Sequence, residues 1–416
     1  MKNKKLIISV LYLILSAVML LSMIGCNAEV SAATVDLMEG ITADHTDKKA
    51  LDDNFISSQS DFSVELFKKS FNNSDNKNTL ISPLSVSLAL SMTANGAKGE
   101  TLSEMEFLLG GDLKISDLNG YQRTYLANHN NKYMKTANAI WFRDCDRFNV
   151  NQNFLQTNAN YYGAGVFKAP FDDSTINDIN IWVNKNTDGL IEEMVNEIAD
   201  DTIMYLLNAV SFEAEWQYKY TSKPIKSTFR SASGKVQTAF MMNSDESTYL
   251  DDGQAEGFIK PYKGGKYKFA ALLPNEGISI NEYISGLSGD SLLNTLKNRS
   301  TEDINVSIPK FSYDYSLNMS QILITDIPTA FNPNKADFSD LGTSENSIYI
   351  GEVLHKTNIT VDTNGTKAAS STKVEMLNKM SAMPSKNVIL NRPFVYMILD
   401  NDTDLPVFIG AVMDIE

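Results

Sequence analysis

Residues 353–397 read VLHKTNITVDTNGTKAASSTKVEMLNKMSAMPSKNVILNRPFVYM, and the fold is decided by what this stretch lacks. Two strand-like segments, Asn358 to Val361 and Val388 to Met397, enclose residues that are neither core nor ordinary loop. Loops are normally punctuated by Gly, Pro, Asn and Asp. Between Thr366 and Met383 there is no Gly, Pro or Asp, and the only Asn is Asn378. Side chains in a strand alternate between two faces. Thr366, Ala368, Ser370, Thr372, Val374 and Met376 fall on one face, all uncharged and mostly small. Lys367, Ala369, Ser371, Lys373 and Glu375 fall on the other, so the charges share one side. A one-residue slip would bury Lys367 and Lys373, which is costly, so the register is specified. Gly365 precedes the segment as a predicted backbone hinge. A loop written as a central strand implies two alternative positions for one segment. The plainer reading is a polar linker whose alternation is accidental.

Working outward, 416 residues with 43% apolar composition suffice for a large core. A net charge of −15 argues against nucleic-acid binding. Residues 1–25 read as a signal peptide: Lys2, Lys4 and Lys5 precede the unbroken apolar run Leu6 to Ile24. Met23-Ile24-Gly25-Cys26 resembles a bacterial lipobox that would make Cys26 a lipidated N-terminus. Val30-Ser31-Ala32 offers an ordinary signal-peptidase site instead. Either route predicts a secreted, extracellular protein, free or anchored to the cell surface as a lipoprotein. Residues 26–54 are polar and acidic and read as a flexible tether, leaving 55–416 as the main domain. With Cys26 lipidated or removed no disulfide is possible. Cys145, beside Trp141, Phe142 and Phe148, reads as a buried small hydrophobe.

From Phe55 a helical pattern begins with Phe62, Leu66, Phe67 and Phe71. Ser82-Pro83 is a helix start followed by turns apolar on all sides, hence a buried helix. Thr136 to Phe142 and Asp201 to Trp216 read as strands, the second apolar on both faces. Ile176 to Val195 reads as a helix. Further strands are expected at Phe229 to Met242, Ile259 to Tyr262, Tyr267 to Leu273, Ile304 to Phe311 and Ile348 to His355. Lys263-Gly264-Gly265 serves as a hairpin turn. Only His45, His129 and His355 are present, and no G-x-S-x-G, Walker, HExxH or paired-cysteine motif occurs. The chain therefore predicts no enzyme, no metal and no cofactor. His355 reads as a hydrogen-bonded core histidine.

Several spaced motifs resemble one family, the serpins. Gly365-Thr366, the run Ala368-Ala369-Ser370-Ser371-Thr372 and Asn391-Arg392-Pro393-Phe394 are similar to its hinge, reactive-centre loop and distal strand. Asn78 to Ala97, the interval Asn208 to Trp216 and Phe408-Ile-Gly410-Ala-Val412 agree, so the resemblance covers roughly Phe55 to Glu416. It implies an α+β fold with a large central, mostly antiparallel sheet and further sheets. It also implies about eight or nine helices and an exposed reactive-centre loop near 363–386, in a monomer. The hinge would be Gly365, Thr366, Lys367, Ala368, Ala369, Ser370, Ser371 and Thr372. Ser82, Ser85, Asn208 and His355 match the buried polar "shutter", and Trp216 the "breach" where the sheet opens. The implied function is serine-type endopeptidase inhibition as a suicide substrate, through covalent acyl-enzyme trapping and loop insertion. The alternative is a non-inhibitory member acting as a binding or chaperone-like surface protein. The hinge's inward face is free of charge and proline, as inhibitory members require. Two positions depart from the family pattern, Thr363 and Lys367, where acidic residues are usual. Counting forward from Gly365 puts the P1 residue of the reactive bond at Lys379, and counting back from Phe394 gives Ala382. Met380-Ser381 resembles a junction frequent in the family. Lys379 implies a trypsin-like partner; Met380 implies an elastase-, chymotrypsin- or subtilisin-like one.

Overall fold

The computed structural model describes residues 31, 33–44, 48–129, 131–145, 148–199, 202–345, 347–366 and 386–415. Among them are nine helices, an eight-stranded sheet, a nine-stranded sheet and a two-stranded one. The eight-stranded sheet carries the site. Its strands are β1 (Val35–Asp36), β2 (Met134–Arg143), β3 (Gly165–Ala169), β4 (Met204–Phe212), β5 (Ala214–Glu215), β6 (Phe311–Asn318), β7 (Glu352–Val361) and β8 (Gly365–Thr366). They lie in the order β1-β3-β2-β4-β7-β8-β5, with β6 on the far side of β7. The pairs β2/β3 and β4/β7 are parallel and the rest antiparallel. Every residue of β4 is buried, as its two-faced apolar sequence requires.

In the nine-stranded sheet the neighbouring strands Phe394–Asp400 and Pro406–Val412 are buried throughout, and Thr79–Ile81 pairs beyond the second. The helix Pro83–Ala94 lies between the two large sheets, touching β2 and β4 on one side and Pro406–Val412 on the other. That position explains a helix apolar all round, buried at every residue. Ser82 caps it by accepting the Ser85 N–H, and Pro83 occupies the first turn.

Five expectations need correction. The supposed tether is part of the body where it is described. Val35 and Asp36 pair with Lys168 and Phe167 of β3. Just before them, the Ser31 N–H and hydroxyl and the Thr34 hydroxyl donate to the fully buried Asp178 carboxylate at 2.6–2.8 Å. The helix expected over Ile176 to Val195 runs only Asp173–Asn186, ending where Asp188 and Gly189 take positive φ. Beyond it Asn180 reaches across to hold the backbone of Met194 and Val195. The strand expected over Phe229 to Met242 is a hairpin, Ile225–Arg230 with Val236–Asp251, turning at Gly234. Val388 to Met397 likewise divides into Lys386–Ile389 and Phe394–Asp400. Cys145 is half-buried rather than enclosed.

Candidate functional site: a fork in the large sheet

β4 and β7 are zipped in parallel over six registered pairs, from Tyr205/Glu352 to Val210/Thr357. Above Thr357 they part, and β8 sits in the fork. Thr366 pairs with Val361 of β7 on one side and Ala214 of β5 on the other. Thr366, one of the expected hinge residues, is therefore already in the sheet, 1% exposed. Its hydroxyl lies 2.5 Å from the phenol oxygen of buried Tyr262.

The turn into β8 is made by residues 362–364, not by the glycine. The Asp362 carboxylate accepts the backbone N–H of Asn364 at 2.7 Å and of Gly365 at 3.3 Å, and the Asp362 N–H donates to Gly365 O. Gly365 itself has no positive φ. A Cβ there would lie 2.0 Å from the Ala214 carbonyl oxygen, so close backbone approach demands glycine at this position. Trp216 fastens the turn twice: its indole N–H donates to Asp362 O at 2.8 Å and its backbone N–H to Asn364 O at 2.9 Å. The indole stacks on Tyr262 at 4.6 Å between centroids.

Below the fork, one row of polar side chains crosses three strands: Asn138 of β2, Asn208 of β4 and His355 of β7 are direct register partners. The Ser82 N–H donates to His355 Nε2 at 3.1 Å, so Nδ1 carries the proton and donates to Asn208 Oδ1 at 2.5 Å. Asn208 Nδ2 in turn donates to Ser85 Oγ at 2.5 Å and to Asn138 Oδ1 at 2.6 Å. The structure thus brings Ser82, Ser85, Asn208 and His355 together, and adds Asn138. The sequence signal for Asn138 was a lone polar residue inside the apolar run Ala137 to Phe142. β8 can lengthen downward only by unzipping β4 from β7, which breaks the His355–Asn208 bond.

Burial lowers the His355 pKa to about 3. His129, buried under Tyr125 with Nδ1 2.8 Å from the Tyr267 hydroxyl, is lowered by burial to about 4. In the unfolded chain both would titrate near 6.5. Their folded values lie below that, so as pH falls the unfolded state takes up protons first. The stability they confer is whole above about pH 6.5 and is lost as pH drops towards 4 and 3. The urea midpoint is expected to fall between pH 7 and pH 5, each histidine contributing up to about 1.4 kcal/mol per pH unit. A midpoint that holds or rises over that window would contradict neutral, buried histidines.

Lys367, Ala368, Ala369, Ser370, Ser371, Thr372, Lys379, Met380 and Cys26 lie outside the described residues, as does His45. Among the described residues no His, Cys, Asp and Glu cluster forms a metal site.

Residues 57–415 match the family described as serpin (serine protease inhibitor). Among curated relatives, an uncharacterized serpin-like protein of Thermococcus kodakarensis is 27% identical, covering 85% of this chain and 84% of its own. Leukocyte elastase inhibitor A of Mus musculus is 27% identical, covering 84% and 97%. Among solved structures, tengpin, a thermophilic serpin, in its native state superposes with a TM-score of 0.87 at 45% identity, covering 92% of this chain and 100% of tengpin. Its latent state gives 0.78 at 44% identity, covering 89% and 100%. The chain belongs to the serpin family of serine protease inhibitors.

Proposed function

We propose that this serpin inhibits serine proteases as a suicide substrate, its reactive bond lying near Lys379 or Met380. The observation that carries the reading is the fork. A hairpin turn is complete, Thr366 is paired on both sides, and the six pairs beneath are still closed. Insertion is then the lengthening of a hairpin that already exists. The greater likeness to native than to latent tengpin, at nearly equal identity, supports a form in which insertion has only begun.

In this mechanism the protease serine attacks the carbonyl of the reactive bond, the amine leaves, and an ester joins protease to loop. Freed from its C-terminal side, the loop continues β8 downward, presenting Ala368, Ser370 and Thr372 to the core and Lys367 and Lys373 to solvent. New strand pairing and apolar burial drive the motion, and the protease is carried off before water can hydrolyse the ester. The inhibitor supplies bait and spring; the catalytic groups are the protease's.

Trypsin and an elastase-like protease are each expected to cut first within residues 377–383, and at least one to leave a complex that survives boiling in detergent. If both turn the protein over as plain substrate, and no other serine protease is trapped, the proposal fails and the non-inhibitory reading takes its place. We further propose export with lipidation at Cys26. The intact mass of the mature protein should then include a diacylglyceryl group. An unmodified N-terminus at Ala33 or nearby would refute it.

A further inference from the structure

Behind the fork lies an ion pair that stability alone does not explain. Lys260 and Glu246 meet at 2.5 Å with their side chains 2% and 6% exposed. Taking both charges out of water costs so much that an apolar pair of similar volume is often as stable or more so. The ammonium has unusual company: it lies 4.6 Å from the Tyr220 ring centroid and 5.5 Å from that of Trp216, with Ser244 Oγ at 3.5 Å. Two aromatic faces and one carboxylate thus cage a cation whose place is set from several directions. A cation over a desolvated indole attracts the ring's face and so fixes where that face lies. Trp216 is the residue whose indole and backbone N–H groups hold the 362–364 turn. The strand end carrying Lys260 is also tied to Trp216, since the Gln217 N–H donates to Pro261 O at 2.9 Å and Trp216 bridges Tyr262.

We infer that Lys260, held by Glu246, is a positioning residue for loop insertion: it aims Trp216 so that the 362–364 turn and the first pairs of β8 stand ready before any protease arrives. The inference rests on the inhibitory reading for its consequence, though not for its geometry. With the cation gone, Trp216 can rock, the turn loosens, and the first step of insertion starts from a less ordered hairpin. Attack on the exposed bond is untouched. Insertion then loses ground to ester hydrolysis, and more inhibitor is consumed per protease trapped.

The test separates positioning from mere charge balance. Lys260→Met alone would strand Glu246 as a buried unpaired charge and could simply unfold the protein. The decisive variant is therefore Lys260→Met with Glu246→Met, which leaves no orphan charge. Its melting temperature is expected to match or exceed that of the parent, and the rate of first cleavage to be unchanged. The moles of inhibitor consumed per mole of protease trapped should rise about three- to tenfold. Amide hydrogen exchange in the native, uncleaved protein should quicken at Trp216 and at residues 365–366, and stay unchanged in β4 below the fork. Lys260→Arg, which keeps a cation between the rings, should restore parental exchange and stoichiometry. Parental exchange at Trp216 and 365–366 in the double variant would overturn the inference, and so would unchanged stoichiometry despite faster exchange. If the parent traps no protease, the inhibitory reading falls by itself, and the exchange arm still decides whether Lys260 holds the turn.

Discussion

Thr366→Arg is expected to abolish the stable protease complex while leaving the first cut in the loop as fast as in the parent. Thr366 is enclosed by Val361, Ala214 and the Tyr262 hydroxyl, with 1% of its surface exposed. A guanidinium there would have no partner among these groups, and keeping it in place would cost on the order of 3–5 kcal/mol. The cheaper outcome is expulsion of β8 from the fork, which undoes the first pairs on which insertion builds. The scissile region is far along the chain and stays available, so a protease attacks normally and then completes hydrolysis. The products should be a cleaved inhibitor that gains little thermal stability over the intact form, and a fully active protease. Lys367→Arg is the control, because alternation places that residue on the outward face. Detergent gels and melting curves of both variants decide the matter. Equal loss of trapping in the two would mean that the strand register, or insertion itself, is wrong.

Asn208→Ala is expected to show the second-largest effect, on the sheet that must open. Removing that side chain leaves His355 Nδ1–H without its acceptor, and Ser85 Oγ and Asn138 Oδ1 without the donor they share. Buried polar groups stripped of partners cost about 1–3 kcal/mol each, and partial rescue by Ser85 donating to Asn138 at 3.3 Å holds the sum to about 3 kcal/mol. The same bonds bolt β4 to β7, so their loss also lowers the barrier to premature opening. A urea midpoint should therefore drop, and the native protein should convert to inactive, inserted or self-associated forms on warming faster than the parent does. A variant within about 0.5 kcal/mol of the parent would show that the row of polar side chains carries no weight.

What could be read from the sequence was mostly local. The Ser82-Pro83 helix start and the two-faced apolar β4 each announce themselves within a dozen residues or so. Tyr262 and the Lys260–Glu246 pair did not, because their meaning comes from neighbours brought together by pairing between distant strands. Gly365 was legible as special, but the close approach that demands it was not. A turn and a close backbone approach both demand glycine, and only the position of the Ala214 carbonyl tells them apart. Residues 26–54 misled for the opposite cause. Low apolar content argues for disorder when no partner is in view, yet Ser31 and Thr34 are the donors that a buried carboxylate needs, 147 and 144 positions away.

That docking alters how the molecule would stand on a cell. A tether over residues 26–54 could span about 95 Å, enough to let the body roam. With Ser31 held at Asp178, the chain from Cys26 to that anchor reaches at most about 17 Å. A lipid on Cys26 would then draw the body close against the bilayer, with the Asp173–Asn186 helix and the β1–β3 edge nearest the surface. Such a molecule is oriented as well as anchored: the proteases it meets are chosen partly by whether they fit the headroom between membrane and loop.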